Sequence, residues 1–256
     1  MTGVLPVGLD NSTKVIGNVV HSVKEYVMVV QLHEEVDLKR LEDALKYFTG
    51  EIYQRPPLRS SVKRVLRTRR VHEIRLLDVR DKFVLVRVSC DPGTYMRKLA
   101  HDMGLYLGVG AHMRELRRTR TGPYREDETL VKLQDVSDAL YLWRAEGDER
   151  LLRKIILPVE TAVAHLPKII VNDLAVDAIA HGASLAAPGV ARLTDNVEPG
   201  STVAIFTLKG ELVALAKALR RAGEIASMEK GIVAKTKRVL MPAGVYPRYW
   251  KASGKE

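Results

Sequence analysis

Prolines at Leu157-Pro158 and Leu166-Pro167 punctuate the chain, and the apolar residues follow a different rhythm on either side. Before them, residues 25–32 (Glu-Tyr-Val-Met-Val-Val-Gln-Leu) are β-branched and apolar without a helical period, which predicts a largely buried strand. Asp37 then caps a helix carrying Leu38, Leu41, Leu45 and Phe48, with Gly50 as its stop. Two strands come next at about 71–79 and 83–89, joined by Arg-Asp-Lys. Residues 93–107 read as a helix with Met96, Leu99, Ala100, Met103 and Leu107 on one face and Gly108 at its end. Hairpin-like pairings and the lack of regular βαβ units predict an α+β domain with a mixed or antiparallel sheet, over 1–160. Beyond the prolines a short helix at 173–181 leads to Gly182, and glycine turns recur at Pro188-Gly189, Pro199-Gly200, Lys209-Gly210 and Lys230-Gly231. Residues 203–208 and 211–216 flank Lys209-Gly210 as a hairpin, with another strand at 232–240. This half predicts a small, partly closed β-barrel over about 168–245. There is no internal repeat and no low-complexity segment apart from a short polar tail.

Charge adds a partner class. In 256 residues, 41 Lys and Arg against 31 Asp and Glu leave a formal +10, and the excess is concentrated. Arg55, Arg59, Lys63, Arg64, Arg67, Arg69, Arg70 and Arg75 face a single acid, Glu73, and Arg114, Arg117, Arg118, Arg120 and Arg125 form a second cluster. From Glu126 to Arg150 acids dominate. The first run interleaves Arg with Val and Leu, so a strand or extended arm could project guanidinium groups from one side. The surplus points to an anionic partner without identifying it, and phosphate binding with salt-sensitive affinity is the expectation. No apolar run approaches a membrane span, no signal-peptide pattern opens the chain, and a lone Cys90 forms no internal disulfide. A reducing, cytoplasmic setting is expected.

Several chemistries drop out. The histidines show no metal-binding spacing, Gly108-Val-Gly110 lacks the third glycine of a dinucleotide loop, and no Gly-Lys-Ser/Thr loop exists. Neither metal nor cofactor is expected. What remains is Val88-Ser-Cys-Asp-Pro-Gly-Thr-Tyr-Met-Arg97, running from strand into helix. Gly93 permits a tight turn, the new helix offers free N–H groups, and Arg97 in the first turn could hold a carboxylate or phosphate. An ordinary strand-turn-helix with a surface arginine reads equally well from the residues alone.

Residues 90–124, Cys-x-x-Gly-Thr-Tyr-Met-Arg-x-Leu-Ala-x-Asp-Met-Gly through Leu-Arg-Arg-Thr-Arg-Thr-Gly-Pro-Tyr, closely resemble the long motif of TruB-type pseudouridine synthases. Residues 49–69, Thr-Gly-Glu-Ile-Tyr-Gln-Arg-Pro-Pro-Leu-Arg-Ser-Ser-Val-Lys-Arg-Val-Leu-Arg-Thr-Arg, resemble the second family motif in its dyskerin form. Thr2-Gly-Val-Leu-Pro-Val-Gly-Leu and Thr13-Lys14 resemble the stretch immediately after the family's catalytic loop. The C-terminal part is similar to a PUA domain in Val171–Ala183, Pro188-Gly-Val and Leu208-Lys-Gly-Glu-Leu-Val-Ala. The short tail fits the archaeal rather than the eukaryotic dyskerin-like group.

The resemblance implies an enzyme that detaches a uridine base from its ribose, turns it and rejoins it through C5, without cofactor or metal. It places Tyr26, beside the basic Lys24, where the family's tyrosine stacks on the target base, and Arg97 where an arginine pairs with the catalytic aspartate. Lys63 matches a lysine near the active cleft. Lys14, Lys63, Arg64, Arg67 and Arg69, with Lys235, Lys237 and Arg238 in the second domain, are the expected RNA contacts. Implied partners are an H/ACA guide RNA, substrate rRNA or tRNA, small H/ACA ribonucleoprotein proteins, and a kink-turn-binding protein.

One departure is large. The nucleophilic aspartate of the family's Gly-x-Leu-Asp-Pro falls upstream of Met1, and Asp10, Asp91 and Asp102 do not align with it. A misplaced start or an N-terminal truncation accounts for this, with natural loss as the minor alternative. Arg97 is then expected to be a partly buried cation without its partner, and this polypeptide to bind RNA without isomerising uridine. A non-catalytic RNA-binding protein is the competing reading. A stand-alone bacterial-type tRNA modifier fits less well, because residues 59–76 lack that group's insertion and its Tyr-x-x-Ala-Arg sequence.

Overall fold

The computed structural model describes residues 1–56 and 62–248. They form two compact units. Met1–Pro6 with Asn18–Ile156 make the first, and Val7–Gly17 with Leu157–Glu256 the second.

The chain begins with β1 (Thr2–Gly3) and α1 (Thr13–Val20), whose first residues group with the second unit. The first unit continues through β2 (Lys24–Leu32), α2 (Leu38–Tyr47), β3 (Gly50–Gln54), β4 (Arg67–Arg80), β5 (Phe83–Cys90), α3 (Met96–Leu107), β6 (Ala111–Thr121), β7 (Tyr124–Arg125), α4 (Leu133–Glu146) and α5 (Arg150–Ile155). Its sheet runs β1-β6-β2-β5-β4-β3, with β7 beside β6, and is antiparallel except where β1 lies parallel to β6. This is the mixed α+β architecture expected. β2 sits between β5 and β6, and its alternation buries Lys24, Met28, Val30 and Leu32 on one face. The same core takes Leu41, Ala44 and Leu45 of α2 and Met96, Leu99, Ala100 and Met103 of α3, so both helices cover that face.

Local signals set the helices. The Asp37 carboxylate accepts from the Arg40 N–H at 2.9 Å, and Gly108 ends α3 in a left-handed conformation (φ 77°). Gly104 lets α3 lie directly on the start of β6: a Cβ there would overlap the backbone of Gly110 and Ala111.

This unit departs from the sequence-based reading most clearly in two of its strands. β4 starts at Arg67 rather than 71, because β3 gives it a partner from Gln54↔Arg67 to Gly50↔Val71. The Arg-rich run is therefore a strand only from Arg67; Arg59 lies outside the described residues. β6, unassigned from sequence, is an 11-residue strand against β2. Its pairing shifts register at Glu25/Tyr26 and again at Val29/Val30, which breaks the two-residue apolar period a strand normally advertises.

The second unit contains β8 (Lys168–Val171), α6 (Asp173–Ala180), β9 (Leu185–Ala186), β10 (Val190–Leu193), β11 (Thr202–Phe206), β12 (Leu212–Ala218), α7 (Ala222–Ser227) and β13 (Ile232–Val239). Its six strands run β10-β8-β11-β12-β13-β9, all antiparallel except β11 beside β8. The expected hairpin is β11–β12, turning at Gly210 (φ 85°). Ile169, Val171, Val176, Ile179, Val203, Ile205, Val213 and Val233 form the core. No described helix in either unit is long and apolar enough to cross a membrane.

Candidate active site

Tyr26 stands on β2, opposite Val88 of β5 and Arg118 of β6. It follows Lys24 and precedes Met28 in the alternation, so its ring packs half-buried against the core that α3 helps to form. Arg118, opposite Tyr26 on β6, acts on the Tyr26 phenol. Burial, and secondarily Cys90, push the Tyr26 phenol above its ordinary value, while Arg118 pulls it back. Arg118 is itself anchored: its Nε donates to the Val4 carbonyl at 2.7 Å, and the Val4 N–H donates to the Arg118 carbonyl at 2.8 Å.

Lys24 is not a phosphate contact. It is 8% exposed, and its Nζ donates to the carbonyls of Val19 (3.2 Å), Val20 (2.8 Å) and Ser22 (2.8 Å). A cation there satisfies carbonyls that the end of α1 leaves open. Burial, then the charge of Arg118, lower its pKa. Cys90 is fully buried, and desolvation raises its thiol to about 11, so it packs rather than reacts.

Arg97 follows from the end of β5. Val88, the partner of Tyr26, lies two residues before the strand's last residue, Cys90; a turn through Gly93 (φ 79°) then opens α3. Tyr26 and the first turn of α3 therefore share one face and one end of the sheet. Arg97 itself is exposed rather than partly buried, and it makes no hydrogen bond or ion pair among the described residues. Water reaches its guanidinium, so the desolvation cost expected from the sequence does not arise.

Of the basic residues expected to meet RNA in this unit, Lys63 and Arg64 are exposed, and Arg67 donates to the Lys63 carbonyl at 3.3 Å. Arg69 is half-buried: it donates to the Thr68 carbonyl at 2.8 Å and lies against Gly93, where a Cβ would come within 3.2 Å of its guanidinium. The second Arg cluster is largely occupied within the protein. Arg117 pairs with Glu126, Arg118 with Val4, and Arg120 with the Gly122 carbonyl at 2.9 Å. In the second unit, Lys14 donates to the Val239 carbonyl at 3.2 Å and Arg238 to the Lys14 carbonyl at 3.1 Å. Lys235 and Lys237 are exposed on β13, and Lys235 lies opposite Lys217 of β12. Two like charges across a ladder repel unless an anion joins them. Each set of basic residues gathers within its own unit.

Arg118 and Lys217 were absent from the sequence-derived site. Arg118 looked like one arginine among several, and only strand register sets it beside Tyr26. Likewise His33 and His112, far apart in sequence, meet with Nε2 and Nδ1 3.1 Å apart. An open groove of about 510 Å³ between α2 and β4, lined by Glu42, Leu45, Ile74 and Leu76 among others, holds none of the site residues.

Comparison with known proteins identifies the family of each unit. Residues 1–96 match the N-terminal domain of TruB family pseudouridylate synthases, residues 97–164 the C-terminal domain of tRNA pseudouridylate synthase B, and residues 167–240 a PUA domain. These matches define the class, a pseudouridine-forming enzyme with an attached PUA module. The chain belongs to the TruB family of pseudouridine synthases. It is 52% identical over 253 residues to the probable tRNA pseudouridine synthase B of Archaeoglobus fulgidus, covering 99% of this chain and 78% of that protein. A crystal structure of a Cbf5-Nop10-Gar1 complex is similar with TM-score 0.92 and 50% identity, over 96% of this chain and 75% of that one. The structure of an H/ACA ribonucleoprotein bound to a substrate RNA containing 2'-deoxyuridine matches with TM-score 0.91 and 47% identity, over 97% and 75%. The resemblance read from residues 49–69 and 90–124 is borne out.

Proposed function

We propose that this chain is the catalytic subunit of a guide-directed H/ACA ribonucleoprotein that converts uridine to pseudouridine in rRNA, or in tRNA, in the cytoplasm. The observation that carries this reading is the shared face of Tyr26, opposite Arg118, and the first turn of α3 with Arg97. A uridine must leave its stack to be isomerised, which calls for an aromatic platform and cations for the flanking backbone. Tyr26 provides the platform. Arg97, free of protein partners among the described residues, is available to a carboxylate or to phosphate. The reaction breaks the N1–C1′ bond and forms C5–C1′; the proton on C5 is lost and N1 gains one.

The aspartate that attacks in this family is carried upstream of the residue matched by Thr2, so the 256-residue polypeptide is expected to bind RNA without turning it over. Partners follow from the similar structures: guide RNA, and small proteins of the Nop10 and Gar1 type. A kink-turn-binding protein on the guide completes the set. The exposed Lys63 and Arg64 with the half-buried Arg67 in one unit, and the exposed Lys14, Lys235, Lys237 and Arg238 in the other, carry the phosphate contacts.

The test is pseudouridine formation on a guide-paired RNA and on free tRNA, by the 256-residue chain and by the same chain extended through the family's aspartate. The expected result is binding by both and turnover by the extended chain alone, dependent on guide. Turnover by the 256-residue chain would remove the aspartate from the argument. Guide-independent turnover on tRNA alone would move the protein to the stand-alone modifiers.

A further inference from the structure

Helix α3 begins without a cap of its own. Its first flanking residue is Tyr95, whose side chain makes no capping hydrogen bond, and the third helical residue is Lys98. A glutamate or glutamine at that third position could reach back to the Tyr95 N–H; a lysine has no acceptor to offer. The missing group comes from another strand. Gln54, the last residue of β3, accepts from the Tyr95 N–H through Oε1 at 2.9 Å and donates through Nε2 to the Tyr95 carbonyl at 3.2 Å. The same carbonyl accepts the first helical hydrogen bond, from the Leu99 N–H at 2.9 Å. Gln54 is 2% exposed, so this is a buried two-point clamp on a single residue's backbone.

We propose that Gln54 is a positioning residue for the reaction. It caps α3 from outside the helix and thereby fixes the direction in which Arg97, two residues past Tyr95, leaves the first turn. The proposal rests on the reading of Arg97 given under Proposed function. A primary amide suits the task because it donates and accepts at once with fixed geometry. A carboxylate would repel the Tyr95 carbonyl and an alanine would leave both backbone groups without their Gln54 partner.

The test compares Gln54→Ala and Gln54→Glu with the natural residue. Amide exchange is read on the 256-residue chain, and turnover on the chain extended through the family's aspartate. Gln54→Ala is expected to speed exchange at Tyr95–Lys98 by about tenfold or more, two buried hydrogen bonds being lost. It should lower kcat by about 10- to 100-fold through misplacement, while KM stays within about twofold. Gln54→Glu should recover toward acid pH, where the protonated carboxyl again donates to one group and accepts from the other, and lose that recovery as pH rises. A cap that served only stability would give no such pH-dependent rescue of kcat. Unchanged exchange at Tyr95–Lys98, an unchanged kcat, or a Gln54→Glu profile that superimposes on that of Gln54→Ala would each overturn the proposal. If the extended natural chain forms no pseudouridine, the enzymatic reading fails by itself; exchange and its acid recovery in Gln54→Glu still decide the cap.

Discussion

Arg238 reaches Lys14 across 224 positions of sequence: its Nη1 donates to the Lys14 carbonyl at 3.1 Å, and Lys14 Nζ in turn donates to the carbonyl of the next residue, Val239, at 3.2 Å. Both side chains thus tie the segment around the start of α1 to β13. Among the described residues Lys235 and Lys237 make no such tie; both are exposed on the same strand. Arg238→Ala should therefore lower both RNA affinity and stability, the latter by up to about 1 kcal/mol at this exposed site. Lys237→Ala should lower affinity alone, reducing the slope of log K against log salt by roughly 1. Salt-dependent filter binding and thermal melts read the difference.

The Tyr26 phenol is held in its neutral form by burial against the opposing pull of Arg118. Arg118→Met should raise the Tyr26 titration further, visible in alkaline difference absorbance. A folded-state pKa above the unfolded value favours the protonated form. Its stabilisation is complete below about pH 10 and fades as pH rises through the folded value. Tyr26→Phe should remove that alkaline loss.

Lys24 has the opposite sign. Burial and Arg118 lower its pKa, so the folded state prefers the neutral amine. Its contribution is present above the unfolded value near 10 and is lost as pH falls through the folded one. At neutral pH the charged amine is nonetheless held by three carbonyls. Lys24→Met should cost about 1–3 kcal/mol in denaturant unfolding by leaving them unpaired, and the variant should show a smaller rise in stability between neutral and alkaline pH.

With its thiol pushed up to about 11 and its surface fully buried, Cys90 should resist alkylation at pH 8 in the native protein and react only after denaturation. Cys90→Ala should leave guide binding unchanged in a gel-shift titration, since the side chain fills space rather than touching RNA.

What the sequence disclosed and what it concealed divide along the range of the interactions. The α2 cap at Asp37, the α3 stop at Gly108 and the Lys209-Gly210 hairpin are set by residues within a turn of each other, and the chain announces them. β6 could not be announced, because two register shifts against β2 scramble its apolar period. The long charged helix α4 buries only Ala139 and so lacks an apolar stripe to reveal it. At the site, the motifs named Tyr26 and Arg97, but that Arg118 faces the one and that Gln54 caps the helix bearing the other depends on pairings across the sheet. Arg97 was expected half inside the protein. Helical phase puts it on the flank instead, one position past the buried Met96.

The far half of β4 has a further consequence. β3 pairs it only as far as Val71, so beyond that point its outer edge meets no strand among the described residues. Such an edge invites a neighbouring molecule to add itself. Here the invitation is withdrawn: the pairing slips between Leu76 and Asp78, and Arg75, Asp78 and Arg80 stud the strand with charge. Copies of the protein brought together at high concentration would then jostle without knitting into a shared sheet.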